Sequence, residues 1–305
     1  MKFTVVLTAA FPAITRELLA PHFDVIEHPT EHDRSEEDVM TIVAEADAAI
    51  TLLSDPVTRR VLESNPNLRI VSNFAVGYNN VDVDAARELG VAVTNTPGVL
   101  TEATADLTMA LILAITRRIV EGDEEIRTTG RCEWEPLKLL GASLQGKRLG
   151  IVGMGRIGSA VATRARAFGM DVIGVRRGEP IDELLATSDV VSIHAPLTAD
   201  THHLINADAL AKMKRTAYLI NTARGALVDE SALCDALENG RLRGAALDVY
   251  EHEPEVNPRL LTMKNVVLAP HIGSATDEAR NAMGRIAATN VLLFLRGQEP
   301  LHRVV

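Results

Sequence analysis

Short runs rich in β-branched residues alternate with longer stretches of helical period along almost the whole chain, an order that a parallel sheet with helical crossovers satisfies. In the first third the strand candidates are Phe3–Leu7, Ala48–Leu53, Leu68–Phe74 and Val91–Thr94. Helix candidates lie between them at Ile14–Leu19, Glu36–Ala46, Thr58–Glu63 and Val83–Leu89, several entered by a Ser, Thr or Asp cap. Thr101–Arg117 reads as one long helix, apolar on most faces and bounded by Pro97 and Gly98, which suits a connection between two domains. Gly130–Gly146 is polar and irregular and holds the only tryptophan, Trp134. A second alternating series follows from Lys147, with strands expected at Arg148–Val152, Asp171–Val175, Asp189–His194, Ala217–Asn221, Gly244–Val249 and Asn265–Ala269. A final helix, Thr276–Leu295, is long enough to return to the first series.

The length of 305 residues, at roughly 150 residues per domain, favours two domains over one oversized core. The fold class is therefore α/β, with two doubly wound, parallel-sheet (Rossmann-like) domains. One is built from residues 1–99 and 286–305, the other from residues 100–285.

Composition narrows the partners. Lys plus Arg is 31 against 41 Asp plus Glu, a net charge of −10 that repels phosphate backbones and anionic lipid, so neither nucleic acid nor membrane is the expected partner. Cys132 and Cys234 lack CxxC spacing, so no zinc site or disulfide framework is indicated. The residues from Met1 to Ala10 lack signal-peptide order, and the apolar stretch Met109–Ile115 is far shorter than a membrane helix needs. The expectation is a cytoplasmic protein without a metal.

Gly153-Met154-Gly155-Arg156-Ile157-Gly158 follows the run Leu149–Val152 and opens a helical stretch. The first glycine permits a tight turn, the second lets a pyrophosphate approach the backbone, and the third lets helix pack on strand. The helix amino terminus then points N–H groups at the phosphates. Alone the string is weak, since such turns also serve structure; a strand before, a helix after and a second strand make it a dinucleotide site. At the end of that second strand, where an acidic side chain would bond the adenosine ribose of NAD, the sequence has Arg176 and Arg177. Guanidinium suits a phosphate dianion, and the 2′-phosphate distinguishes NADP, so NADP(H) is favoured over NAD(H). The competing reading is a solvated pair, with Arg177 tied to Glu179 or Asp182.

Three later segments place polar groups beyond strand carboxyl ends: Asn221–Gly225, Leu247–Pro254 and Pro270–Ser274. Parallel strands put those ends on one sheet edge, where open α/β sheets bind ligands. Carbonyl reduction needs a cation on the substrate, a proton donor, and a carboxylate that keeps the donor charged. Arg224, His271 and Glu253 suit these roles. Singly, each is more ordinarily a surface or structural residue; their joint placement after the glycine turn carries the reading.

With these motifs, together with Val76–Asp82 and His194–Thr198, the sequence resembles the D-isomer-specific 2-hydroxyacid dehydrogenase family over nearly the whole chain. The resemblance implies Arg224 as substrate arginine, His271 as acid and base, and Glu253, before Pro254, as its partner in preference to Glu251. It implies that backbone amides near Val76 and Gly77 bind the substrate carboxylate. Thr104, Pro196, Thr201, Thr222, Ala223, Asp248 and Gly273 would line the cofactor with Gly153, Gly155, Arg156, Ile157 and Gly158. Members are usually dimers with a cleft between the domains. Trp134 and the Leu52-Leu53 pair resemble positions that narrow the pocket of glyoxylate reductases, although core packing also accounts for the leucines. The expected activity is NADPH-dependent reduction of a small 2-oxo acid, glyoxylate or hydroxypyruvate. The alternatives are NAD-dependent D-3-phosphoglycerate or D-lactate oxidation, and a dinucleotide-sensing regulator. The segment between Arg177 and Asp189 is shorter than in most members, and a regulatory tail like that of some phosphoglycerate dehydrogenases is not expected.

Overall fold

The computed structural model describes residues 2–29 and 34–305, so of the amino-terminal reading only Met1 lies outside the described residues. The chain forms two compact units, Met1–Leu100 with Ala275–Val305, and Thr101–Ser274. The first contains strands β1 (Thr4–Leu7), β2 (Asp24–Glu27), β3 (Ala48–Thr51), β4 (Ile70–Asn73) and β5 (Ala92–Thr94). Between them run helices α1 (Ala13–Leu19), α2 (Glu36–Val43), α3 (Arg59–Glu63) and α4 (Val83–Leu89). All pairings are parallel, in the order β2-β1-β3-β4-β5. Successive residues of a strand face opposite sides. Val6, Ala49, Val71 and Val93 accordingly pack with α2, α3 and α4, while Val5, Leu7, Ile50 and Ile70 pack on the other face. Strands covered on both faces explain the near-continuous apolar runs.

The second unit opens with α5 (Thr101–Thr116) and α6 (Ile119–Thr129). It continues as β6 (Arg148–Val152), α7 (Arg156–Ala167), β7 (Asp171–Val175), α8 (Asp182–Thr187), β8 (Val190–Ile193), α9 (Ala207–Lys212), β9 (Tyr218–Asn221), α10 (Glu230–Glu238), β10 (Gly244–Leu247) and β11 (Val266–Leu268). Its six strands are parallel in the order β11-β10-β9-β8-β6-β7, so the winding direction reverses between β6 and β8. That reversal opens a crevice at the strands' carboxyl ends, where ligands of such sheets bind. The short segment after Arg177 fits this order: the chain passes through α8 straight to β8, and β7 is the sheet edge.

Four differences from the sequence expectation have physical causes. The helix α11 (Asp277–Leu295) lies wholly in the first unit, where the expected boundary at 285 would cut it. Met283, Ala287, Ala288 and Val291 on one of its faces are buried in the first sheet's core, so the helix cannot be divided. The apolar α5 belongs to the second unit, in line with a boundary at residue 100, with Ala105, Met109, Ile112 and Ile115 packed against β6 and α7 residues, and differs only at its end. Its helix stops at Thr116 because Arg118 adopts a left-handed φ of 54°. A helix missing from the sequence reading, α6, follows; it buries no residue, and its only apolar side chains, Ile119, Val120 and Ile126, are too few to mark a full helical period. The strand β2, also missed, is a largely exposed edge strand bounded by Asp24 and Glu27.

Candidate active site

The glycine turn sits at the carboxyl end of β6, with α7 beginning at Arg156. Gly153 has φ of 102°, a conformation that L side chains avoid, and an added Cβ would collide with the backbone of His194 and Ala195. Space above Gly155 is open, whereas a Cβ on Gly158 would strike the Gly153 carbonyl. No side chain caps α7, so its first N–H groups, including those of Ile157 and Gly158, remain available to an anion. These features fit a dinucleotide pyrophosphate. His194, closing the crevice from β8, is bonded to Ser192 Oγ at 2.8 Å, and burial pushes its imidazole down to about 4, so it is neutral at ordinary pH.

Arg176 and Arg177 are exposed where the chain leaves β7. Their exposure agrees with the solvated pair of the competing reading, but the tie it gave Arg177 is not formed among the described residues: the Glu179 carboxylate accepts the Arg176 backbone N–H at 2.6 Å, and Asp182 pairs with Lys212 at 2.7 Å. On the next loop, Thr201 Oγ1 donates to the Pro196 carbonyl at 2.7 Å and accepts from the Thr198 amide, fixing the strip after β8.

Arg224, Glu253 and His271 follow β9, β10 and β11, and come together. His271 Nδ1 lies 2.8 Å from Glu253 Oε2, while Glu253 Oε1 accepts the Tyr250 amide at 2.9 Å. Glu251 is engaged elsewhere, 2.5 Å from His203 Nε2, so the ambiguity between the two acidic residues is removed by geometry. Burial raises the Glu253 carboxyl, but the His271 hydrogen bond and charge, the Tyr250 amide and Arg224 outweigh it and hold it below the usual carboxylate value. Burial pulls the Arg224 guanidinium below its ordinary value and Glu253 opposes this; starting so high, the group stays charged at neutral pH.

The loops are held by groups whose roles the sequence did not disclose. Asn221 donates from Nδ2 to the Arg224 carbonyl and accepts the Ala223 amide, the one device that Asn two residues before a turn amide could have suggested. Gly225 lies so close to Tyr250 and Glu251 that a Cβ would overlap their shared peptide, which brings the arginine loop against the glutamate loop. Buried Asp248 accepts the Ile272 and Gly273 amides at 2.7 and 2.8 Å, fixing the turn directly after His271, whose own φ is 54°. Thr104 Oγ1 donates to the Gly273 carbonyl, and Thr108 and Thr222 hydroxyls meet at 3.0 Å. Tyr250 donates its hydroxyl to the Ala269 carbonyl; burial pushes it up to about 12, so it acts as a neutral prop.

The remaining expected residues belong to the first unit. Asn95 Nδ2 holds the Val76 carbonyl at 2.8 Å and Asn73 Nδ2 the Gly77 carbonyl at 2.9 Å. In a trans peptide the N–H points opposite its carbonyl, so the amides of Gly77 and Tyr78 face away from these asparagines. Leu53 is half-buried in the turn after β3. Trp134 is 86% exposed, in a run of exposed residues from Arg131 to Leu137.

Residues 109–273 match the family model described as D-isomer specific 2-hydroxyacid dehydrogenase, NAD binding domain. A glyoxylate reductase of Thermococcus litoralis is 50% identical over 275 residues, covering 85% of this chain and 83% of its own. The crystal structure of the TT0316 protein from Thermus thermophilus superposes with a TM-score of 0.94 at 44% identity, covering 99% of this chain and 100% of that one. An NADPH-dependent glyoxylate/hydroxypyruvate reductase from Sinorhizobium meliloti, solved with NADP and malonate, gives 0.87 at 33% identity over 100% and 97% of the two chains. No helix among the described residues is long and apolar enough to cross a membrane.

Proposed function

Since the chain belongs to the D-isomer specific 2-hydroxyacid dehydrogenase family, we propose that this NAD(P)-dependent enzyme reduces glyoxylate or hydroxypyruvate to the corresponding D-2-hydroxy acid with NADPH. The His271–Glu253 pair at 2.8 Å carries the reading, because it is a proton donor with its counter-charge, set beside a charged arginine. The bound nicotinamide supplies the hydride. Arg224 orients the substrate and draws negative charge toward its carbonyl oxygen. With Nδ1 committed to Glu253, the imidazolium presents Nε2–H to that oxygen and protonates it as the alkoxide forms. Backbone amides near Val76 and Gly77 are proposed to donate to the substrate carboxylate, with Leu53 proposed near its small side chain. Thr104, Thr222, Ala223 and Gly273 are the proposed cofactor lining. Support for glyoxylate or hydroxypyruvate comes from the named activities of the Thermococcus and Sinorhizobium relatives. Steady-state reduction of glyoxylate, hydroxypyruvate, pyruvate and 3-phosphohydroxypyruvate tests it. A kcat/KM for pyruvate or 3-phosphohydroxypyruvate above those for the other two would refute the substrate assignment.

The Glu253 carboxylate stays ionised through the neutral range because its folded value is depressed. In Glu253→Gln the anion that favours the proton-bearing imidazole is lost, so the alkaline limb of the reduction profile moves to lower pH while the acid side keeps more of its rate. A limb at the wild-type position would leave Glu253 without its assigned part.

The working form is proposed to be a homodimer. Ile119, Val120 and Ile126 of α6 are 55%, 50% and 51% exposed, and Leu137 and Leu140 beside Trp134 are 80% and 55% exposed. A groove of about 520 Å³ borders Val120 and Leu140 on the amino side of β9–β11, away from the glycine turn. Exposed apolar side chains that share a patch are candidates for cover by a second chain. Trp134 is the sole tryptophan, so its emission should shift to the red as the protein is diluted toward monomer, and Leu137→Ser should bring that dilution point to higher concentration. A monomer by light scattering at high concentration would sink this assembly.

A further inference from the structure

Beside the proposed catalytic residues, the loop from Thr198 and the loop after β10 bring together a second group of side chains that carbonyl reduction does not use. His202 and His203 are sequence neighbours, yet their rings stack with centroids 4.0 Å apart and planes inclined by 27°. Backbone conformation holds them so. His203 has a left-handed φ of 51°, its amide donates to the Ala226 carbonyl at 2.9 Å, and the His202 amide donates to the Thr198 carbonyl at 3.0 Å. Glu251 faces them: its Oε1 is 2.5 Å from His203 Nε2, and one donor atom from each of the three residues lies within 4.8 Å of the others. Among the described residues this is the one such convergence of metal-binding side chains.

The carboxylate is oriented before any ligand arrives. Glu251 Oε2 accepts the Glu230 amide at 3.1 Å, and the Glu251 amide donates to Glu230 Oε1 at 2.7 Å, a reciprocal pair with buried Glu230 at the start of α10. Outer hydrogen bonds of this kind fix the direction of a ligating oxygen. The donor set is two imidazole nitrogens and one carboxylate oxygen. Calcium and magnesium prefer oxygen alone, whereas zinc and its neighbours accept nitrogen with oxygen. Three protein ligands leave a tetrahedral ion one position for water.

We propose that His202, His203 and Glu251 form a binding site for a divalent transition metal ion of the zinc class, separate from the Arg224–Glu253–His271 group. On binding, the hydrogen bond between His203 and Glu251 breaks, the Nε2 proton passes to Nδ1 of the same ring when the imidazole is neutral or to solvent when it is protonated, and both atoms turn to the ion. Ligand bonds of about 2.0–2.2 Å set tetrahedral donors roughly 3.3 Å apart, so the His203–Glu251 pair opens from 2.5 Å while the exposed His202 side chain closes in by rotation. The ion then ties the loop of Thr201 to the loop of Glu253.

Cobalt(II) is the probe, since a tetrahedral nitrogen–oxygen site gives it visible d–d absorption, with zinc as competitor. Metal-free protein should take up cobalt saturably at one ion per chain, zinc should displace it, and either ion should raise the melting temperature. His202→Ala and His203→Asn should each weaken uptake by about 10-fold or more, while His271→Asn leaves it unchanged. Asparagine is chosen at 203 because it tolerates the left-handed backbone, and the exposed position of His202 keeps its variant folded. Absence of saturable uptake, uptake unaltered in both His202→Ala and His203→Asn, or loss confined to His271→Asn would each overturn the proposal.

Discussion

His271→Asn is expected to lower kcat by about 10²- to 10⁴-fold, the range that a positioned general acid contributes. Asparagine is the informative substitution because His271 has a left-handed φ of 54°, which asparagine adopts and alanine resists. The backbone bracket made by Asp248 on the Ile272 and Gly273 amides should survive, so a loss of rate reflects the missing proton donor and not a collapsed loop. Glu253 retains the Tyr250 amide in the variant, although the bond to the ring is gone. Cofactor affinity, read by quenching or protection of the reduced cofactor's fluorescence, should change much less than kcat, because the glycine turn is untouched. Wild-type turnover in this variant would make His271 a structural residue and leave the proposed chemistry without an acid.

What the sequence reveals of such a site depends on the distance over which its causes act. Strand–turn–helix order and glycine spacing are local, and the structure places a turn with φ of 102° at Gly153 and a helix from Arg156. The three strand-end loops were legible because parallel strands must share a carboxyl edge. The props behind them were not. Glu230 reads as an ordinary acidic residue of a first helical turn, and only the fold shows it buried and exchanging hydrogen bonds with Glu251. Likewise the choice between Glu251 and Glu253 rests on resemblance until the structure shows His203 occupying the first. The helix α6 escapes a reading by period because Ile119, Val120 and Ile126 are its only apolar side chains, and the affiliation of α11 depends on which core receives Met283 and Val291.

Cofactor preference should be the second large effect, and it turns on two side chains at the edge of the second sheet. Wild type is expected to favour NADPH over NADH by roughly tenfold in kcat/KM. A guanidinium at the end of β7 can grip the 2′-phosphate, and no carboxylate stands there for a ribose hydroxyl. The acids nearest in sequence do not cancel the pair, since Glu179 is turned to the Arg176 amide and Asp182 to Lys212. Exposure sets the size of the effect: in water a charge pair is screened, so tenfold is a more reasonable expectation than the larger factors of enclosed pockets. Arg176→Asp replaces attraction by repulsion and should carry the preference to NADH, whereas Arg177→Ala should only reduce it if Arg176 is the principal contact. Raising ionic strength should narrow the wild-type preference through KM, with kcat little altered, because the 2′-phosphate is remote from the reacting carbon. If wild type used both cofactors equally at low salt, the arginine pair would be no more than a solvated strand end.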